Sequence, residues 1–588
     1  MEAGVKSWRL PLILGLVLLI RLPFWNQAIL GDDNTYLTAA AHALVEPLHP
    51  DHTKIVFQGQ EWDLRGHPHG PVNAWALAIL IAVVGGVREV PFHAAYTVFS
   101  LIAAWAVWSL AKRFSPRPLW AALLFIAVPV FVVNGNSLET DVPFVAFWLA
   151  SIALFQRYRA LSVVTLALAA LTSPQGTFLT PILFVYVWIY CRRDVTAWLA
   201  ALVPSVTFVA WQLFGLLTTG VLPAQVLAGY LTHYDRWNPQ ARLALFLHAW
   251  FLVFPALVPG AFLLAWRKRR EPDTLFLLAW IVLFFTGALV VFPFGSARYL
   301  LPMAAPMALL ASRLRPKWLA IGFAAQLALG LGLAVVNYQH WDAYRQLAHD
   351  LRQTTEGHRV WVDGEWGLRH YLEADGALPL THSQRVRPGD FVVSSELGSA
   401  VQITAPVTAV KTVEIRPAIP LRIIGLESHS GYSSIGNGIW PFGIQGGLID
   451  RVRVVKVGER HPTLIYLPMN APEAAQQIVS GIYSLESNRY RWMSGSGVVV
   501  LKSPASPMPL SVEFTITDRS PARKVTLLLD GHEVASQTYA GPGDYTLASP
   551  PAQAAGATAS IEIRVDRTFT APPDTRELSI VLLGVGFR

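Results

Sequence analysis

In the stretch QAILGDDNTYLTAAAHAL two carboxylates, Asp32 and Asp33, stand side by side a few residues after the first long apolar run. A carboxylate there can take a proton from a hydroxyl, or it can satisfy backbone N–H groups at the start of a helix. One aspartate is enough to cap NTYLTAAAHAL. A second exceeds that need, and Tyr36 falls one helical turn after Asp32, where it can stand beside it. The same segment is rich in histidine: His42, His49, His52, His67 and His69, with Asp51 and Asp63. Imidazole with carboxylate suits several transition metals, and HPH at 67–69 places two rings on one face of an extended chain. The spacing matches no strong metal motif, so loop packing and substrate contact are the competing uses. A divalent metal is compatible with these residues and is not required by them.

What these side chains can do depends on the elements that hold them. The 588 residues are 53% hydrophobic and only 14% charged, where soluble domains carry roughly a quarter charged residues. Long apolar runs fill 1–338, and the rest has the charge and alternation of a soluble region. A helix that crosses roughly 30 Å of hydrocarbon needs about 20 apolar residues. Candidate spans fall near 9–25, 91–111, 118–134, 142–156, 160–172, 176–191, 196–217, 246–265, 274–293, 298–312 and 318–336, which makes about eleven. The N-terminal run lacks a small-residue cleavage site and reads as an uncleaved first helix.

A twelfth run, 72–86, is short for a span. If it does not cross, every basic cluster falls on one side: Lys6 and Arg9, Lys112 and Arg113, Arg192 and Arg193, the RKRR run at 267–270, and Arg313 to Lys317. Positive charge marks the cytoplasmic side. The 72–86 run is therefore expected to be re-entrant or juxtamembrane, within an outer loop at 26–90. Asp32, Asp33 and the Asp141 of NGNSLETDVPF then share the outer face. The soluble tail joins them there, extracytoplasmic in a bacterial inner membrane with a cytoplasmic N-terminus. The net charge of +8 is spent on topology, which argues against nucleic acid. The single cysteine, Cys191, excludes an intrachain disulfide and a zinc–thiolate site.

These motifs resemble those of the polyprenyl-phosphate-sugar-dependent glycosyltransferases of the protein O-mannosyltransferase and aminoarabinose-transferase type. DDNTY is similar to that family's acidic signature in the first outer loop, with Asp32 and Asp33 in the places of its Asp and Glu. RGHPHGPVNAWALAIL resembles the segment leading into its juxtamembrane helix, SLETDVPFVAFWLAS its second outer loop with Asp141, and GSARYLLPMAAPMALLAS a late segment with Arg298 and Tyr299. Two departures stand out: Asp33 is one methylene shorter than the family's Glu, and His67 replaces a lysine of the aminoarabinose type, which leaves the sugar open.

The resemblance implies a GT-C-like multi-pass α-helical membrane protein that moves a sugar from a polyprenyl-phosphate donor to a hydroxyl of a glycan, lipid or protein, with inversion. Such transfer needs a base for the acceptor hydroxyl and a cation for the departing phosphate. It places Asp32, Asp33 and Asp141 in the catalytic group, Asp32 as base or acceptor-orienting residue, and Arg298 opposite the phosphate. Tyr36, His67, His69 and Tyr299 are the expected substrate contacts. An interfacial arginine that snorkels is the alternative use of Arg298.

The tail is expected to hold an α/β unit and connector at 339–464 and a β-sandwich at 465–588, similar to jelly-roll accessory domains. That sandwich serves either to bind carbohydrate or to cap the membrane region. In the outer loop LTHYDRWNPQAR at 231–242, aromatic and charged residues suit sugar binding and an interfacial belt equally. Other function classes are a lipid-sugar flippase, which would carry mid-membrane polar features and repeats, and a non-catalytic polysaccharide-assembly scaffold, which would tolerate loss of Asp32.

Overall fold

The computed structural model describes residues 8–232, 237–293, 295–382, 384–403, 405–433, 438–518, 522–571 and 574–588. His233, Tyr234, Asp235 and Arg236 of the 231–242 loop lie outside the described residues. The chain is a helical region followed by an α/β unit and a β-rich unit.

Among the described residues, four helices are long and apolar enough to cross a membrane: Glu89–Phe114, Val195–Thr219, Pro272–Val291 and Pro316–Thr354. A fifth exists if Pro239–Trp250 and Pro255–Arg267, bent by 82° at their junction, form one span. The expected count of eleven is therefore not reached by long unbroken helices. Several of the expected spans are shorter or interrupted. The 118–134 run is two helices, Pro118–Ile126 and Pro129–Asn134, joined through Val128 in extended conformation (ψ 122°). Pro129 accounts for the break, because it lacks an N–H and forces the preceding residue out of the helical region. The 72–86 run is the helix Pro71–Val84, ended by Gly85 in the left-handed conformation. Its 14 residues reach about 21 Å.

The helical core is stitched by small residues. Ala103, Ala104, Ala106, Ala111, Ala121 and Ala122 are all fully buried, which lets the helix backbones approach closely. Where the first helix ends, Arg21 is buried: Nη1 donates to the Val132 carbonyl at 2.6 Å, Nη2 to the Phe131 carbonyl at 2.5 Å, and Nε to Ser100 at 3.1 Å. A guanidinium on the carbonyls at a helix C-terminus adds a charged donor to the bonds they accept from the Gly135 N–H and the Asn136 amide, and it answers the helix dipole. This contact fixes where Pro129–Asn134 stops and where the loop 135–140 begins.

The helix Pro316–Thr354 has 39 residues and a length of about 58 Å, well beyond the hydrocarbon. It runs unbroken through the expected boundary at 338/339. Its last turns pack on the α/β unit, where the Tyr344 hydroxyl donates to Asp450 at 2.7 Å. That unit is a five-stranded sheet in the order Leu378–Pro379, Val360–Asp363, Phe391–Ser395, Asp450–Val457, Val407–Ile415. The first three strands are parallel and the last two antiparallel. Its helix Trp366–Ala374 lies on the first connection, the 26–90 segment that follows the first helix: Tyr371 accepts from the Ile29 N–H at 2.8 Å and donates to Glu89 at 2.8 Å. The first connection and the tail thus share one end of the molecule.

The final unit has a nine-stranded sheet and a separate pair, Phe569–Ala571 with Asp574–Leu578; the larger sheet surrounds an apolar core that includes Val499, Leu510, Phe514, Leu527 and Ile561. Its two end strands, His532–Tyr539 and Gly543–Ala552, come together, so the sheet nearly closes on itself. The expected sandwich faces are thus two sides of one continuous, curled sheet. Closure of this kind leaves few open strand edges.

Candidate active site

The two aspartates divide their work. Asp33 is fully buried. Its Oδ1 accepts the Leu138 N–H at 2.8 Å and its Oδ2 the Leu30 N–H at 3.2 Å. It ties the first connection to the loop before Asp141, and its oxygens face backbone. Asp32 sits where a helix cap would, yet its side chain makes no capping bond. It turns instead to Arg298, whose Nη2 donates to Oδ2 at 2.8 Å. Gly31 allows this approach. Its φ is +46°, and a Cβ there would collide with the Glu139 carboxylate, whose Oε1 accepts the Asp32 N–H at 3.1 Å.

Arg298 gathers three carboxylates from two connections. Besides Asp32, Nη1 meets Glu139 Oε2 at 2.5 Å and Asp141 Oδ2 at 3.9 Å. Asp141 also accepts from Asn134 at 2.9 Å, the last residue of the short helix that Arg21 anchors. With every carboxylate ionised, one guanidinium faces three negative charges in a largely buried setting, an arrangement that favours protonation of one acid. Glu139 is that acid. Burial raises it to about 7; Arg298 opposes the rise, and Asp32 and Asp141 add to it. Sequence reasoning passed over Glu139, although SLETDVPF carries it two residues before Asp141.

The tail completes the site. The Tyr432 hydroxyl donates to the Asn134 side-chain oxygen. The Tyr432 carbonyl accepts from the Ala297 N–H at 3.0 Å and the Ser296 hydroxyl at 2.8 Å, so a tail residue fixes the turn that delivers Arg298. The Tyr299 ring lies 5.5 Å from the Arg298 guanidinium. No sequence signal marked Tyr432, because its role is a contact between residues about 300 positions apart.

Beside this cluster, Tyr36 and the Thr140 hydroxyl are 3.2 Å apart, and Thr140 meets His69 Nδ1 at 3.1 Å. Tyr36 packs against both histidines, with centroids 5.2 Å from His67 and 5.7 Å from His69. Burial lowers His67 to about 4 and His69 well below its ordinary value, so both rings are neutral near pH 7. The other histidines are elsewhere: His42 and His52 meet Glu46 at 3.3 and 3.7 Å, and His49 stacks on Phe214. Among the described residues, no group of three or more His, Cys, Asp or Glu side chains could hold a metal ion.

Asp32 lies between two cavities. One, of about 70 Å³, is walled by Glu139, Arg298, Asn134 and Tyr432. The other, of about 250 Å³, is walled by Asn34, Thr35, Thr38, Lys54 and Arg369. Gly31 and Trp366 also line both. A carboxylate placed between a niche that holds an arginine and one that holds threonine hydroxyls can serve a reaction that joins ligands from the two sides.

Residues 67–214, about a quarter of the chain, match the family model described as dolichyl-phosphate-mannose-protein mannosyltransferase. No curated protein matches the sequence. Among solved structures the chain is similar to ArnT from Cupriavidus metallidurans bound to undecaprenyl phosphate, at 15% identity and a TM-score of 0.48, over 67% of this chain and 94% of that one. It is also similar to the arabinofuranosyltransferase AftD from mycobacteria, at 12% identity and a TM-score of 0.44, over 99% of this chain and 58% of that one. The resemblance drawn from the motifs is thus borne out by the family model over 67–214, a stretch that holds His67, His69 and Asp141.

Proposed function

We propose that this chain is an integral membrane glycosyltransferase. It moves a sugar from a polyprenyl-phosphate donor to an acceptor hydroxyl of a glycan, lipid or protein, by single displacement with inversion. The reaction takes place at the extracytoplasmic face of a bacterial inner membrane, with the N-terminus in the cytoplasm. The observation that carries this reading is the position of Asp32, bonded to Arg298 at 2.8 Å and lining both cavities.

In this reading the lipid-borne phosphate enters the Arg298 side and the acceptor hydroxyl the other. Arg298 offers a planar fork of donors that fits a phosphate. At rest it is hydrogen-bonded to Glu139, and an acid raised to about 7 carries a proton that leaves the guanidinium charge to the arriving anion. Asp141 and Asn134 keep the guanidinium oriented. Asp32 takes the proton of the attacking hydroxyl while Arg298 meets the charge that develops on the leaving phosphate. Asp33 is a positioning residue that holds Asp32 at the junction. Tyr36, His67 and His69, neutral and adjacent, supply hydroxyl and imidazole groups for the sugar, and Tyr299 supports Arg298.

The test is reconstitution in liposomes with a panel of polyprenyl-phosphate sugars and an envelope extract as acceptor source, following release of the lipid phosphate. At least one donor is expected to be consumed with transfer of its sugar. Failure of every donor, with the protein folded and correctly inserted, contradicts the proposal.

A further inference from the structure

A cavity of about 770 Å³ lies outside the carboxylate site. Separate parts of the chain form it: the hairpin of Lys54–Phe57 and Gln60–Asp63, Tyr230 of the helix Pro223–Leu231, the α/β unit around Trp366 and Gln402, and the strand Ile478–Glu486 with Arg576 of the β-rich unit. Ligand cavities run to roughly 300–1,000 Å³, so this one admits a ligand of several rings.

Its chemistry is selective. Trp62, Tyr230, Trp366 and Tyr483 bring aromatic rings to the wall, and Gln58, Gln384 and Gln402 bring amides. The charged groups of the wall are already paired: Glu61 with Lys54 at 3.0 Å, Glu365 with Arg369 at 2.9 Å, and Arg576 with Glu486 at 2.8 Å. Aromatic faces next to amides, with charge neutralised in place, suit a neutral ligand with apolar ring faces and many hydroxyls. That description fits a glycan.

The cavity leads to Asp32. Phe57, Glu61, Glu365 and Trp366 line both it and the 250 Å³ cavity beside that carboxylate. Trp366 stands at the junction and also borders the Arg298 niche. Its φ is +56°, a conformation that is an outlier for a bulky side chain and costs of order 1–3 kcal/mol. The surroundings hold it there. Glu365 pairs with Arg369 and accepts the Gln58 N–H at 2.8 Å, and the hairpin turn is pinned by His382, whose N–H donates to the Gly59 carbonyl at 3.0 Å. The cleft is thus shaped in advance.

We infer that this cleft binds the acceptor as a neutral oligosaccharide, threaded between the hairpin and the β-rich unit, with its terminal hydroxyl presented past Trp366 to Asp32. The inference rests on the transferase reading and specifies its acceptor. The experiment is binding of the purified full-length protein to an array of neutral mannose, glucose, galactose, arabinose and rhamnose oligosaccharides, from monomers to octamers. A parallel set of unglycosylated peptides is included. Binding is expected to strengthen with glycan length and to weaken about fivefold to tenfold in Trp366→Ala and in Tyr483→Ala. Tyr483→Ala lies in a different unit from Trp366, so it settles the question if the first variant fails to fold. Absence of glycan binding, retention of peptides instead, or wild-type affinity in Tyr483→Ala overturns the inference. Asp32→Asn separates the two claims, since it should keep glycan binding while losing lipid-phosphate release. Release without glycan binding removes the cleft assignment alone, and glycan binding without release by the wild type removes the transferase reading.

Discussion

Asp32 and Asp33 show how far two identical neighbours can differ once the chain folds. Their type and setting were legible in the sequence, as were Asp141 and Arg298, because carboxylates and an arginine beside apolar runs are costly without a purpose. Which aspartate faces the site was not legible. That depends on Leu138 and Leu30 offering N–H groups to Asp33, a contact across more than 100 positions on one side. Glu139 escaped notice for the same reason: its importance comes from Arg298, 159 positions away. Its burial also makes a pH prediction. The folded protein holds the Glu139 proton up to about 7, against an ordinary value of 4.5. Between those values the folded state binds more protons than the unfolded chain, so stability falls as pH rises. The cost is absent below the lower value and complete above the upper one. Glu139→Gln is expected to flatten the fall in thermal midpoint across that window. An unchanged pH profile would show that Glu139 is ionised throughout.

At the scale of elements, apolar runs and basic clusters located the helical half, and the turn and strand signals located much of the tail. The sequence VWVDGEWGLRHYLEA forms the expected strand and helix, Val360–Asp363 and Trp366–Ala374. The dipeptide Asp530–Gly531, both at positive φ, turns KVTLLLDGHEV into a hairpin, as such a pair favours. Boundaries were less legible. Hydropathy ends near 336 while the helix continues to Thr354, because its last turns exchange lipid for the α/β unit as their partner. The break at Val128 is decided by one proline. The element most exposed to disruption is the loop 135–140, which carries Glu139. A Cβ on Gly135 would overlap the Arg21 guanidinium, which can move aside only by giving up its bonds to Phe131, Val132 and Ser100. Gly135→Ala is expected to cost about 1–3 kcal/mol and to lower transferase activity through a displaced Glu139. Wild-type stability in that variant would show that Arg21 does not lock the loop.

At the scale of the whole molecule, transfer at one face needs the first connection and the tail on one side of the membrane and the basic clusters on the other. The contacts of Tyr371 with Ile29 and of Tyr432 with Asn134 join the tail to that end. With Cys191 replaced by serine, a cysteine at exposed Lys54 should react with a membrane-impermeant maleimide in spheroplasts, and one at exposed Arg269 only after permeabilisation. The opposite pattern would invert the topology. The near-closed sheet of 466–587 was expected as two faces of a sandwich. Strand runs alone do not reveal whether edges meet, since closure is set by the curl of the whole sheet.

The central claim is that Asp32 deprotonates the acceptor while Arg298 receives the phosphate. It is tested most directly by the initial rate of lipid-phosphate release from the reconstituted Asp32→Asn protein, with its thermal midpoint and glycan binding confirmed. Asparagine keeps the shape and removes the base. The rate is predicted to fall about 10²–10⁴-fold. A rate within a few-fold of the wild type would contradict the account.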